Sequence, residues 1–223
     1  MIKWLALFSV TELNPAVVQR RNFIRSLYER MLGRAPSNAE IVNWDATGQA
    51  HPAIAQGFAL SDEHLRRFID LNYRQFLKRG AEAAGQESWR VFIRNSGNNP
   101  FEFQAQVLGS AEYWDAPARI SLASSKPYVD VLKRPADPVG LVGWTAHAAI
   151  HGRVSTARGF LASEEYRKLV IREDLYQGIL NRVPAASEVN AWYAQFAAGN
   201  VNGLTIIGSF YGSDEYYNSF RVQ

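Results

Sequence analysis

The sequence predicts an all-α protein built from four related helical units, each a long helix followed by two short ones, stacked in two halves. The first observation is a frame. Tyr28, Arg34 and Trp44 recur as Tyr73, Arg79 and Trp89, as Tyr128, Arg134 and Trp144, and as Tyr176, Arg182 and Trp192. Tyr to Arg is six residues in every copy, and Arg to Trp is ten. The second is periodicity: apolar residues fall at three- and four-residue steps, as in Phe23, Ile24, Leu27 and Met31, while no stretch alternates with β-branched enrichment. The third is the spacing between copies, 45, 55 and 48 residues from Trp to Trp. Units of that size cannot bury their own apolar faces, so they must stack on one another.

The elements follow in order. Asn14-Pro15 starts the first long helix, with Asn accepting from first-turn amides and Pro at a position whose N–H would be orphaned anyway. Gly33 supplies the permissive backbone that ends it. A second helix runs after Pro36 through Ile41 and Trp44 to Gly48, and a third runs from Pro52 through Ile54 and Phe58 to just before Ser61. Ser61-Asp62-Glu63 then caps the next long helix, with acids facing the positive end of the dipole. Ser110, Ser163 and Ser213 open equivalent Ser-x-Glu caps, and an aromatic follows each: His64, Tyr113, Tyr166 and Tyr216. From Ser61 to Arg79, and from Ser163 to Arg182, the long helix is expected to run unbroken.

The copies also differ. Gly48, Gly97, Gly152 and Gly199 end the Trp-bearing helices, but the first comes sooner, so that helix lacks a turn. The Asn-rich turn 95–100 reads as a C-cap followed by an N-cap. Two prolines and a Ser cluster within residues 116–127 predict a broken helix or linker. This divides the chain into an apolar arm (1–13), a first half (14–115), the linker (116–127) and a second half (128–223). The last Ser-Asp-Glu-Tyr opens a helix with no successor, expected to pack on the last unit or to offer an open end. Trp4, Leu5, Leu7 and Phe8 in the arm, with Tyr216, Tyr217 and Phe220 at the other terminus, are candidate docking residues. The run from Trp4 to Val10 also permits a targeting remnant, although no A-x-A site follows.

The repeated residues read as structural. Each Trp is expected to anchor its own unit's core, and each Tyr to turn its ring inward while its hydroxyl meets a polar partner. Arg at the helix end complements the negative dipole end. The expected ion pairs are Arg34 with Glu63, Arg79 with Glu112, Arg134 with Glu165 and Arg182 with Glu215. If partly buried, each would lose a few kcal/mol on removal of one partner. A rival reading stacks each Arg on the Trp or Tyr ring.

Composition narrows the function classes. The 223 residues are 47% hydrophobic and 20% charged, with net charge +3 and no Cys. That excludes disulfides and thiolate metal sites. No dense Lys/Arg run suggests nucleic acid, and no apolar run is long enough to span a membrane. His147 and His151 stand one helical turn apart, but a zinc site needs further ligands and none lies at recognisable spacing. His51, before Pro52, reads as a turn residue. The carboxylate pairs Asp62-Glu63, Glu164-Glu165 and Asp214-Glu215 sit at helix starts, where the dipole explains them. With no nucleophile elbow, P-loop or dinucleotide fingerprint, neither an enzyme nor a bound cofactor is expected.

Leu32-Gly33-Arg34-Ala35-Pro36, the run from Arg134-Pro135-Ala136-Asp137-Pro138 to Trp144, and Gly159-Phe160-Leu161-Ala162-Ser163-Glu164-Glu165-Tyr166 resemble the bacterial family called domain of unknown function 4214. Its copies occur in tandem in secreted, S-layer and exopolysaccharide-associated proteins. Through the Tyr, Leu-x-Arg and Ser-x-Glu-Tyr positions the chain is more distantly similar to the helical linker domain of phycobilisomes. The likeness covers about residues 14–220. It departs where Glu40 and Glu188 replace Gly85 and Gly140 of the other units, and where His64 replaces Tyr. The resemblance implies a non-catalytic scaffold or assembly subunit of a bacterial cell surface or extracellular structure, acting through contacts with other protein subunits. Two alternatives stay open: a module binding surface polysaccharide, with exposed aromatics near residues 95–99 or 200–202, and a linker joining acidic complexes. A cytoplasmic location also remains open.

Overall fold

The computed structural model describes residues 14–115 and 125–221 and is all-α, with no strand among them. The arm residues Trp4, Leu5, Leu7 and Phe8, and most of the expected linker, lie outside the described residues.

The first unit comprises α1 (Pro15–Leu27), α2 (Asn38–Ala46) and α3 (His51–Ala59). The second has α4 (Asp62–Asn72), α5 (Ala83–Asn95) and α6 (Pro100–Gly109). The short α7 (Ala111–Asp115) then precedes α8 (Lys126–Leu132), α9 (Pro138–His151) and α10 (Arg153–Ala162). Lys126 and Pro127 therefore belong to a helix and not to the linker. The fourth unit has α11 (Glu164–Val170), α12 (Ala186–Ala197) and α13 (Gly203–Tyr211), and α14 (Asp214–Asn218) closes the chain.

Local chemistry sets these boundaries. The side chains of Ser61, Ser110, Ser163 and Ser213 each accept the amide of the aromatic three residues on, at 3.1–3.2 Å. Asn14 and Asn99 cap α1 and α6 in the same way, each just before a proline. The long helices do not reach the repeated arginine. α1 and α4 continue through single π-helical segments, Tyr28–Leu32 and Tyr73–Leu77, and α11 through Ile171–Gln177. The residue just before each repeated arginine is then left-handed: Gly33 (φ 74°), Lys78 (63°), Lys133 (57°) and Asn181 (53°). That conformation reverses the chain and leaves each Arg outside its helix. α2 has 9 residues against 13 in α5, as the early Gly48 requires.

Buried side chains form two clusters, and these are partitioned otherwise than by the expected halves. One joins Phe23, Leu27, Ile54 and Phe58 of the first unit to Leu175, Ile206 and Phe210 of the fourth. The other joins Leu65, Ile93, Phe103 and Leu108 of the second unit to Tyr128, Val131 and Phe160 of the third. The seams are made by third helices: α3 packs along α13, and α6 along α10. Both pairs run antiparallel. Gln56 Nε2 donates to Thr205 O at 2.9 Å, and Arg158 meets Glu102 at 2.5 Å. Where the helices cross, a Cβ on Gly109 would stand 2.7 Å from the Val154 Cα, and one on Gly212 would stand 2.7 Å from the Pro52 Cα. Only glycine fits there.

The last helix packs on the last unit, where Tyr216 meets the Tyr211 ring at 5.0 Å, and also back on the first. Tyr216 is buried and donates to Ser26 Oγ at 3.0 Å, while Gln19 Nε2 donates to Tyr217 O. The Phe23 ring meets Tyr216, Tyr217 and Phe220 at 5.2–6.4 Å. These three candidate docking residues are therefore engaged within the chain. His51 is not simply a turn residue: it opens α3, stacks on Tyr217 at 4.2 Å and bonds Asp214 at 3.0 Å.

Gly109→Ala is expected to lower unfolding stability by about 1–3 kcal/mol, because Val154 backbone must shift to admit the methyl. Gly85→Ala, whose added carbon meets nothing within 4 Å, should raise it by about 0.5–1 kcal/mol. Denaturant titration of both variants checks the contrast. Lys78→Gly and Lys133→Gly should each stabilise by about 0.5–1 kcal/mol by relieving the left-handed backbone; melts showing no gain would remove the strain assigned there.

Candidate functional site

The repeated residues come together in every unit, and the grouping is the same each time. The arginine pairs with its expected glutamate through two parallel bonds, the shorter being 2.5 Å for Arg34–Glu63, 2.6 Å for Arg79–Glu112, 2.5 Å for Arg134–Glu165 and 2.6 Å for Arg182–Glu215. The same guanidinium lies over the tyrosine ring, 4.8, 5.1, 5.1 and 4.7 Å from its centroid. The ion-pair and ring-stacking readings are thus both satisfied by one geometry, with Tyr and not Trp as the ring. The tyrosine hydroxyl accepts the Trp Nε1–H in the first two units, at 3.2 and 2.6 Å. Tyr176 and Trp192 share the equivalent bond.

A fifth member of the group was not evident from the frame. Each Trp ring lies 4.5–5.2 Å from a third-helix phenylalanine: Phe58, Phe103, Phe160 or Phe210. Each Tyr ring meets the same phenylalanine at 4.9–6.5 Å. The Trp-to-Phe interval is 14 residues in the first two copies but 16 and 18 in the last two, which hid this partner from a fixed-spacing comparison.

Energetically the rings dominate. The ion pairs are about half-exposed and screened by solvent, so each contributes little, less than expected for a buried pair. The phenylalanines are nearly or fully buried, and truncating one would cost about 3–5 kcal/mol. These groups fasten each unit's second and third helices to the end of its long helix.

Two units carry an additional carboxylate. Glu40 meets Arg34 at 2.7 Å, and Glu188 meets Arg182 at 2.6 Å. The guanidinium, followed by the amide three residues earlier, pulls both carboxyls down from 4.5 to about 2. At the same position Gly140 leaves room for the Tyr128 hydroxyl, which lies 2.1 Å from where a Cβ would stand.

The expected histidine pair is adjacent, with ring centroids 4.5 Å apart, and His147 Nδ1 lies 2.9 Å from Thr156 Oγ1. Among the described residues no group of three His, Cys, Asp or Glu side chains converges on one point. The Asn-rich turns serve as caps: Asn99 holds the Phe101 amide and Asn202 holds those of Leu204 and Thr205.

The surface differs between units at one helix. No residue of α9 is buried, and its 14 residues contain no Asp, Glu, Lys or Arg. Val139, Val142 and Ile150 are 83%, 70% and 75% exposed, on one face with Gly143, Ala146 and Ala149. The matching positions of α5 include Glu87 and Arg94, both ion-paired. No protein-family model, curated protein or solved structure matches the chain.

The Glu40 and Glu188 shifts fix an acid dependence. A carboxyl whose pKa is lower in the folded chain contributes stability above its unfolded value, and that contribution fades as pH falls towards the folded value. The window therefore runs from about pH 4.5 down to about 2. The Glu40→Gln/Glu188→Gln double variant should melt lower at neutral pH and lose less on acidification. Calorimetric melts between pH 2 and 7 check both slopes.

Proposed function

We propose that this chain is a non-catalytic assembly subunit that docks protein against protein, and that α9 is its docking element. The observation that carries the reading is the uncharged, exposed α9 face. Isolated exposed aliphatics need no explanation, but a contiguous uncharged row does. At two of these positions α5 turns Glu87 and Arg94 outward, so the repeat does not require an uncharged face there.

The occupant that fits best is α9 of a second copy. Neither side carries charge, so the face can meet itself about a two-fold axis without repulsion. Gly143, Ala146 and Ala149 allow close approach of backbones, and the branched residues flank them. A 14-residue helix is about 21 Å long, too short to bury the roughly 800 Å² per partner of a stable interface. The contact therefore belongs to the weak class, effective where copies are crowded or arrayed.

That fits the bacterial surface or extracellular structures implied by the resemblance to the tandem family. No helix of the described residues is long and apolar enough to cross a membrane. The saccharide alternative calls for exposed aromatic rings. The large exposed hydrophobics among the described residues are aliphatic, and Asn99 and Asn202 are already used in caps. The linker alternative calls for free cations, and the four repeated arginines are bound to glutamates.

The chain contains no cysteine, so a single introduced one reports proximity. Val142→Cys should give disulfide-linked dimers under mild oxidation, whereas Val183→Cys, at an equally exposed site (77%), should remain monomeric. Equal cross-linking of the two, or none at Val142→Cys at millimolar protein, would defeat the proposal.

A further inference from the structure

α9 carries two histidines that the repeat does not call for. Counted from the repeated tryptophan, His147 stands where the other units have Thr47, Phe92 and Gln195, and His151 ends the helix one turn later. Their rings meet with centroids 4.5 Å apart. Both lie about a quarter to a third of a turn around α9 from Val139, beside the uncharged row.

The hydrogen bonds around His147 fix its tautomer. Thr156, only 2% exposed, donates its hydroxyl hydrogen to Gly152 O at 3.0 Å. Toward His147 that oxygen can only accept, so the ring hydrogen sits on Nδ1, 2.9 Å away. Nε2 keeps a bare lone pair. No group of the described residues meets it, and unlike His64 Nε2 it is open to solvent. A metal-ligating histidine is held in this way, one ring N–H anchored to an oxygen and the other nitrogen offered outward. His151 is exposed and has no hydrogen-bond partner among the described residues, so its ring is free to turn a nitrogen to the same side. Packing against Trp144, at 5.5 Å, accounts for the place of His147 but not for a second exposed imidazole beside it.

We infer that His147 and His151 chelate one late divalent transition-metal ion across a turn of α9, with Cu²⁺ the tightest. Imidazole suits copper, nickel and zinc, and the general order of affinity puts copper first. Two nitrogens, with water oxygens in the remaining positions, make the tetragonal shell that Cu²⁺ prefers. Mg²⁺ and Ca²⁺ are unsuited, because they demand oxygen ligands and α9 has no carboxylate. No third His, Cys, Asp or Glu joins the pair among the described residues, so the site is open to water and is not a closed structural zinc centre. The neighbouring cation, Arg153, is turned onto the Trp114 ring, 5.3 Å away. An ion held here sits beside the docking row and not on it. The inference therefore goes beyond assembly through α9 and does not rest on it.

The probes are Cu²⁺, Zn²⁺ and Mg²⁺, added to the full untagged chain. Calorimetry should show one Cu²⁺ per chain, weaker Zn²⁺ and no heat from Mg²⁺, and the thermal midpoint should rise with Cu²⁺. Electron paramagnetic resonance of the Cu²⁺ complex should show coupling to imidazole nitrogen. His51 and His64 are tied to Asp214 and Met31, so they supply no comparable pair. His151→Gln, at an exposed site, should fold and weaken Cu²⁺ binding at least about tenfold. Thr156→Val, which removes the oxygen that anchors Nδ1, should also weaken it about tenfold, with Thr156→Ser restoring it. Three results would each overturn the inference: no saturable Cu²⁺ binding, affinity and spectrum unchanged in His151→Gln, or affinity unchanged in a folded Thr156→Val variant. The exposed His151→Gln variant keeps the test decisive even if Thr156→Val does not fold.

Discussion

The antiparallel pairing of third helices is the interaction on which the rest of the molecule depends. A unit of one long and two short helices leaves the inner side of its third helix apolar, and a second unit must cover it. α3 meets α13 and α6 meets α10, so the outer units close on each other around an inner pair. Closure at Gly109 and Val154 spans a short stretch of chain, whereas closure at Pro52 and Gly212 spans more than two thirds of it. Loop-closure entropy makes the outer seam costlier by about 1 kcal/mol, so the inner seam is the natural first contact. α14 then completes the outer pair by setting its rings against Phe23.

Within each unit, one guanidinium does two things that usually compete. It faces the tyrosine ring, which needs an apolar neighbourhood, and holds a glutamate, which needs water or a cation. The half-exposed position permits both. Its net worth is small, but its geometry is demanding: ring, guanidinium and carboxylate must arrive from the end of one helix and the start of another. The pairing therefore specifies how consecutive long helices are set, while burial of the phenylalanine provides the stability.

Much of this was legible because it is local. The Ser-x-Glu caps, the glycine turns and the Arg–Glu pairs depend on intervals within one or two elements, and those intervals repeat. Seam partners were not legible, because any unit's third helix offers an apolar side and nothing in the spacing says which other unit it meets. Left-handed Lys78 and Lys133 were hidden for another reason: only the first copy has the glycine that announces such a backbone. His51 was read from its neighbour Pro52, although its partners Asp214 and Tyr217 lie at the far end of the chain.

The paired units are alike where the unpaired ones differ. The outer two share the second carboxylate, Glu40 and Glu188, and the inner two share glycine, Gly85 and Gly140. The outer fasteners thus place two carboxylates on one arginine, while in the third unit a tyrosine hydroxyl occupies the space that a side chain would need. Gly85 has open space beside it, so sterics do not require its likeness to Gly140. Against that background two departures have no counterpart in the partner unit: the uncharged face of α9 and the histidine at position 64. The first cannot be a packing requirement, since α9 buries none of its residues. The second is part of the packing: buried His64 holds Met31 O through Nδ1 and ties the start of α4 to the end of the first long helix. A face that the fold does not use is where a partner has room to act.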